Sequence, residues 1–240
     1  MQIHWHVPGK FPNLDHGQLH VWRGIYVPSD QHGDGNLSQD EQARSERFRF
    51  ASDRGMFRYS HSLLRRLLAG YVDLLPGEIE FGYTKFGKPF LNNKHGKESI
   101  EFNLSHSGDV VLIGITRNIP LGVDVEKIKP LPDLNKIAAR FFSDSEQSDL
   151  STLSGSAKIA AFYHCWTRKE AVIKATGEGL SMPLDSFRVS FLPGEPARLI
   201  KSADQRSWLL KDVESAQGYA AAVAAPVDRL QVIHFSAEGF

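Results

Sequence analysis

The sequence predicts an α+β protein built as two similar halves, residues 1–118 and 119–240, that meet at a shared interface. Two observations predict it. Short runs rich in β-branched and aromatic residues, separated by Gly, Asn and Pro, occur on both sides of Pro120. Each side also carries one long stretch of apolar residues at helical spacing, the first ending before Pro76 and the second at Gly177. A set of strands with one long helix, given twice, buries its apolar faces by layering helix on sheet.

The elements follow in order. Residues 19–27 read as a strand and 33–36 as a loop. Ser38-Gln39-Asp40-Glu41 has the Ser-x-x-Glu form of a capping box, so a helix starts there. Met56, Ser60, Leu63, Leu67 and Tyr71 recur at spacings of three and four, with Leu64 and Leu68 widening the stripe, and predict a second helix. Strands are expected over 79–83, 100–104 and 110–116. After Pro120 the pattern begins again with a strand at 121–126, a loop at 130–132 and a short helix at 134–142. Ser143-Asp144-Ser145-Glu146 is another capping box. The longest helical pattern runs over 156–176, with Ile159, Phe162, Trp166 and Ile173 on one stripe and Gly177 as its left-handed terminator. Strands at 187–191, 208–213, 219–225 and 231–235 close the second half.

Composition narrows the class of function. The 28 basic residues balance the 28 acidic ones, so no global field points to nucleic acid or to an acidic membrane. The single cysteine, Cys165, excludes an intrachain disulfide and a cysteine-based metal cage. The N-terminal residues lack the basic start and apolar run of a signal peptide, and runs such as Val110-Val111-Leu112-Ile113 are far too short to cross a bilayer. A soluble cytoplasmic protein is the expectation. Locally the charge is uneven: arginines 44, 47, 49, 54, 58, 65 and 66 face only Glu46 and Asp53. This stretch is either an anion-binding face or a solvated helix surface.

Four clusters could carry chemistry. In Gly122-Val123-Asp124-Val125-Glu126, strand alternation puts both acids on one face and both valines on the other. Two convergent carboxylates suit a hard cation such as Mg²⁺ or Mn²⁺, and a salt bridge to an arginine explains them equally. In Trp166-Thr167-Arg168-Lys169-Glu170 with Lys174, Glu170 and Lys174 share a helix face. That pairing is ordinary helix-surface design, or a third carboxylate flanked by two ammonium groups that hold a phosphate. Asn103-Leu104-Ser105-His106-Ser107-Gly108 ends a strand and offers either phosphate contacts or a plain turn. Phe86-Gly87-Lys88-Pro89 is a turn with one lysine.

In this order and spacing, the four clusters resemble the 4′-phosphopantetheinyl transferase superfamily, specifically its larger, surfactin-synthetase-activator (Sfp) type. Arg140-Phe141-Phe142-Ser143 and Gly179-Leu180-Ser181-Met182-Pro183-Leu184 extend the likeness over most of the chain. The resemblance implies two α/β halves related by pseudo-twofold symmetry in a monomer. It implies transfer of the 4′-phosphopantetheine arm of coenzyme A to a serine of an apo carrier protein, holo-acyl-carrier-protein synthase activity included, with release of 3′,5′-ADP. Asp124, Glu126 and Glu170 would ligate Mg²⁺, with Mn²⁺ as a substitute. Glu170 would accept the serine proton, Lys174 would hold the pyrophosphate, and Lys169 would assist transfer or the departing phosphate. Ser105 and His106 would contact the nucleotide's phosphates, and Lys88 would lie along the adenosine. Arg44 and Arg47, then Arg58, would grip the 3′-phosphate. The carrier, of fatty-acid, polyketide or peptide type, would dock near residues 131–142, on Leu131, Leu134, Ile137, Phe141 and Phe142. Neither nucleic acid nor membrane is an expected partner.

Overall fold

The computed structural model describes residues 5–28, 36–92, 99–201 and 206–239, with the side chain of Leu180 set aside. Residues 33–35 of the expected 33–36 loop lie outside this set. Alternation along strand β1 (Gln18–Ile25) divides the first half into two apolar layers. Leu19 and Val21 point into one layer and Trp22 into the other. β1 pairs antiparallel with β5 (Val110–Arg117), which pairs antiparallel with β4 (Ile100–Ser107). On its other side β1 pairs in parallel with the last strand of the chain, β11 (Gln231–Ser236), giving the order β11-β1-β5-β4. The expected division at 118/119 assigned this strand to the second half. It crosses back and completes the first sheet. A parallel neighbour cannot be reached by a tight turn, and here the rest of the first half and all of the second sheet lie between the two strands.

Helix α1 (Gln39–Ser45) opens with the expected capping box: Ser38 Oγ accepts the Glu41 N–H at 3.2 Å, and the Glu41 carboxylate accepts the Ser38 N–H at 2.9 Å. Helix α2 (Ala51–Val72) lays Leu63, Leu64, Leu67 and Leu68 over the Trp22 face of the sheet. A hairpin of β2 (Phe81–Tyr83) and β3 (Pro89–Leu91) follows, and β3 is too short to show a period in sequence.

In the second half, β6 (Gly122–Lys127) pairs with β10 (Tyr219–Ala225), which pairs with β9 (Leu209–Asp212), all antiparallel. Helix α5 (Gly155–Thr176) crosses the face made by Ala220, Ala222 and Ala224, where methyl groups let it approach closely. Gly177 ends it at φ 73°. Helices α3 (Leu134–Phe141) and α4 (Asp144–Ser151) pack beside it, and a small ribbon of β7 (Arg188–Val189) and β8 (Leu199–Lys201) lies at the edge. The opposite face of this sheet, with Val123, Val125, Ala221 and Val223, packs on Leu19, Val21 and Leu112 of the first. The layers therefore run α2, sheet, sheet, α5. Among the described residues, no helix is long and apolar enough to cross a membrane.

Part of the expected docking face belongs to this core. Leu134 and Phe142 are 6% and 1% exposed, with the Phe142 ring stacked 5.2 Å from Phe162. Apolar side chains of α3 that could reach solvent are paid for by packing first, so only Leu131, Ile137 and Phe141 keep partly open surface.

The first capping box also anchors α1 to α2. Glu41 accepts from Arg65 Nε at 2.6 Å and bonds His61 Nδ1 at 2.9 Å, and Arg65 Nη1 reaches the carbonyls of Pro76 and Ile79. Burial alone would raise the Glu41 pKa, but His61, the Ser38 amide and Arg65 together bring it from 4.5 down to about 2. A depressed carboxylate contributes stability that is present above its unfolded value and lost as pH falls through the folded one. The shift is worth about 3 kcal/mol. Urea unfolding between pH 5 and about 2 is expected to show the parent losing that much more stability than Glu41→Gln. Equal losses would mean that the pairing does not hold in solution.

Candidate active site at the seam between the halves

β4 is an edge strand of the first sheet and β6 an edge strand of the second, and the two run side by side. Two bare edges would leave unpaired backbone groups. Side chains of β4 fill the gap. Asn103 Oδ1 accepts the Val123 N–H at 2.8 Å, Ser105 Oγ donates to Asp124 Oδ1 at 2.9 Å, and Ser107 Oγ donates to Glu126 Oε2 at 2.7 Å. Alternation aims Asp124 and Glu126 away from the inter-sheet layer that holds Val123 and Val125. Across from them, α5 presents Lys174, whose Nζ donates to Asp124 Oδ1 at 2.6 Å, to Ser105 Oγ at 3.1 Å and to the Val123 carbonyl at 3.1 Å.

The charges of Asp124, Glu126 and Glu170 act on one another. Burial pushes all three carboxyls above their ordinary pKa; at Glu170 the negative charge of Asp124 adds to this, Lys174 opposes it, and Glu126 adds again. Asp124 Oδ2 is buried and has no hydrogen-bond partner. Among the described residues, no group of three His, Cys, Asp or Glu side chains is drawn up as a ready metal cage. Asp124 Oδ1 is engaged by Lys174 and Ser105, and Glu126 Oε2 by Ser107. The donor set nonetheless fits a hard divalent cation: three oxygen ligands, mutually repelling, one with a bare buried oxygen. A cavity of about 230 Å³ adjoins them, lined by Phe86 to Pro89, Asn103, Glu170, Ile173, Lys174, Gly177 and Gly179.

Other expected residues are placed as follows. Lys88 Nζ donates to the carbonyls of Leu121 at 3.0 Å and Lys174 at 2.7 Å, so it joins the β2–β3 hairpin to the end of α5 and the start of β6. Ser105 is bonded within the protein, to Asp124 and Lys174. His106 lies exposed on the other face of β4, in a recess where partial desolvation, His61 and Lys174 hold its pKa below the ordinary value against Asp53. Arg44 and Arg47 line a cavity of about 490 Å³ with Asp40, Ala43 and Phe48. Arg44 also borders a second cavity, of about 420 Å³, beside Glu41, His61 and Tyr83. Arg58 donates to Ser45 Oγ and to the Glu46 carboxylate, and Arg65 is buried on Glu41, so the arginine-rich stretch is not one uniform anion-binding face.

Lys169 does not reach the site. Its ammonium is 0% exposed, 2.8 Å from Glu146 Oε2, 2.7 Å from the Leu184 carbonyl and 2.6 Å from the Phe187 carbonyl. Successive helix residues point about 100° apart. Arg168 therefore turns to Asp212, Lys169 to α4 and Glu170 to β6. The signal that could have placed Lys169 was the second capping box: Glu146 Oε2, which accepts the Ser143 N–H at 2.9 Å, is the oxygen that Lys169 meets, while Oε1 accepts the Val189 N–H at 2.8 Å. Ser107 was read within the Asn103–Gly108 cluster and given no role of its own, and its spacing of two from Ser105 was the sign that it shares the face toward β6.

Residues 33–117 match the family model described as 4′-phosphopantetheinyl transferase, N-terminal, and residues 120–224 that of the 4′-phosphopantetheinyl transferase superfamily. The chain is 36% identical to the 4′-phosphopantetheinyl transferase HetI of Nostoc sp., over 90% of this chain and 91% of that one. It is 35% identical to the transferase ffp of Bacillus subtilis, over 79% and 82% of the two chains. The transferase Sfp of Bacillus subtilis is 32% identical over the same shares, 79% and 82%. The chain belongs to the 4′-phosphopantetheinyl transferase superfamily, in its two-half, Sfp type.

Breaking the buried Glu146–Lys169 pair strands one charge. Lys169→Met is expected to cost about 3–5 kcal/mol in chemical unfolding, and adding Glu146→Gln to it should recover part of the loss. A Lys169→Met variant as stable as the parent would show that the ammonium is not in the core.

Proposed function

We propose that the cleft at the seam transfers the 4′-phosphopantetheine arm of coenzyme A to a serine of an apo carrier protein and releases 3′,5′-ADP. Acyl, polyketide and peptidyl carrier domains are the partners, so holo-acyl-carrier-protein synthase activity is one case of a broader one. The observation that carries this reading is Lys174 bonded to Asp124 at 2.6 Å, with Glu126 and Glu170 within electrostatic reach and with Glu170 and Lys174 lining the 230 Å³ cavity. Asp124, Glu126 and Glu170 hold Mg²⁺, or Mn²⁺ in its place. When bound, the cation supplies the positive charge that a pyrophosphate under attack requires.

The chain's own residues supply the rest. Lys174, whose side chain is 27% exposed, has the reach and charge to meet the pyrophosphate. Glu170 takes the proton from the attacking serine hydroxyl, a role suited to a carboxyl whose surroundings raise its basicity. Arg44 and Arg47 grip the 3′-phosphate in the cavity they line, and His106 faces the nucleotide from β4. Lys88 and Ser105 serve by fixing the walls, since both are bonded to protein groups. Lys169 is withdrawn from the chemistry. The partly open Leu131, Ile137 and Phe141 lie nearest the carrier.

The test is mass spectrometry of an apo carrier protein incubated with coenzyme A, Mg²⁺ and the protein. The carrier should gain the mass of the arm, and Asp124→Ala and Glu170→Ala should each slow the gain by about 100-fold or more. Near-normal turnover in either variant would show that the acids do not form the site. Release of 3′,5′-ADP with no carrier present would point instead to a pyrophosphate hydrolase.

A further inference from the structure

Resting on that reading and going beyond it, we propose that Ser107 is a positioning residue for the reaction, holding the Glu126 carboxylate from the opposite half of the molecule. The Ser107 hydroxyl accepts the Lys127 N–H at 3.1 Å and donates to Glu126 Oε2 at 2.7 Å. A hydroxyl has one proton, so the backbone donor from the residue after Glu126 directs that proton onto the carboxylate. The bond is charge-assisted, and it spends one of the two carboxylate oxygens while leaving Oε1 for a ligand.

Glu126 needs such a support more than Asp124 does. Asp124 is short, 4% exposed and fastened by Ser105 and Lys174. Glu126 has one more rotatable bond, lies near the end of β6 and is half-buried. Among its hydrogen bonds to described side chains, the one from Ser107 pins the carboxylate. Without it, the side chain must be ordered at the moment a cation binds, which costs rotamer entropy. Groups that orient a metal's ligands typically change metal affinity 10–100-fold when removed. The device is also a division of labour: the second half carries the acids, and the first half aims them.

The experiment uses the full chain with coenzyme A and follows Mn²⁺ binding by electron paramagnetic resonance, beside kcat, KM for coenzyme A and thermal melting. Ser107→Ala should weaken Mn²⁺ binding about tenfold and lower kcat, with KM for coenzyme A changed by roughly twofold or less. Ser107→Thr and Ser107→Val have the same shape and differ in the hydroxyl. Thr should restore Mn²⁺ affinity, while Val should behave like Ala with a melting temperature close to that of Thr. Ser107→Ala and Ser107→Val binding Mn²⁺ within about twofold of the parent would overturn the proposal. A parent that binds no Mn²⁺ in the presence of coenzyme A would overturn the metal reading itself and this role with it.

Discussion

β6 can lie against α5 only because residue 122 has no side chain. A Cβ on Gly122 would stand 2.0 Å from the Ala171 carbonyl oxygen, 2.6 Å from the Ala175 nitrogen and 2.9 Å from Lys174 Cβ. The rest of the site follows from this contact. With strand and helix backbones touching, the side chain two residues along β6 meets the one on the next turn of the helix, and Asp124 and Lys174 come within 2.6 Å. The same closeness presses Val123 and Val125 into the layer between the sheets, where they are 0% exposed. A bulkier residue at 122 would push the strand off the helix and separate the acids from the ammonium that balances them.

That balance explains the resting arrangement. The carboxylates of Asp124, Glu126 and Glu170 repel one another, and burial penalises each of them further. Lys174 is placed on the most deeply buried of the three, where it opposes the cost of burial. The remaining Asp124 oxygen is left with no partner, which is costly in a buried group and is the kind of local imbalance found where a ligand belongs. The far side of α5 shows the opposite case. Lys169 and Glu146 are both 0% exposed and every bond of the ammonium is made, which describes a structural joint.

Much of this was legible in the residues themselves. The two capping boxes, the glycine terminator of α5 and the alternation in Gly122–Glu126 are local signals, and local signals survive folding. Asp124 and Lys174 meet, with Glu126 and Glu170 within electrostatic reach, because strand and helix periods set which side chains share a face. Lys169 was misread because periodicity tells which way a residue points along its own helix and not what packs there. The arginine-rich stretch failed for a related reason: Arg58 and Arg65 have acidic partners in α1 or just after it, and a count of charges cannot show who pairs with whom. Lys88 satisfies two carbonyls, one at the last turn of α5, a position where a cation is favoured, and it lines the cavity beside Glu170 and Lys174. The last strand was read correctly as a strand and assigned to the wrong sheet, since nothing local distinguishes a return across the molecule from a hairpin.

That returning strand has a consequence for how the chain is made. β1, the first strand of the described chain, is paired on one side by β5 and on the other by β11, the last. While the polypeptide emerges from the ribosome, β1 keeps an open edge until β11 has been made. The first half is thus not a unit that can finish itself and wait. Its sheet closes only once the strand that follows the second sheet has returned, as a belt closes only when both ends are in hand.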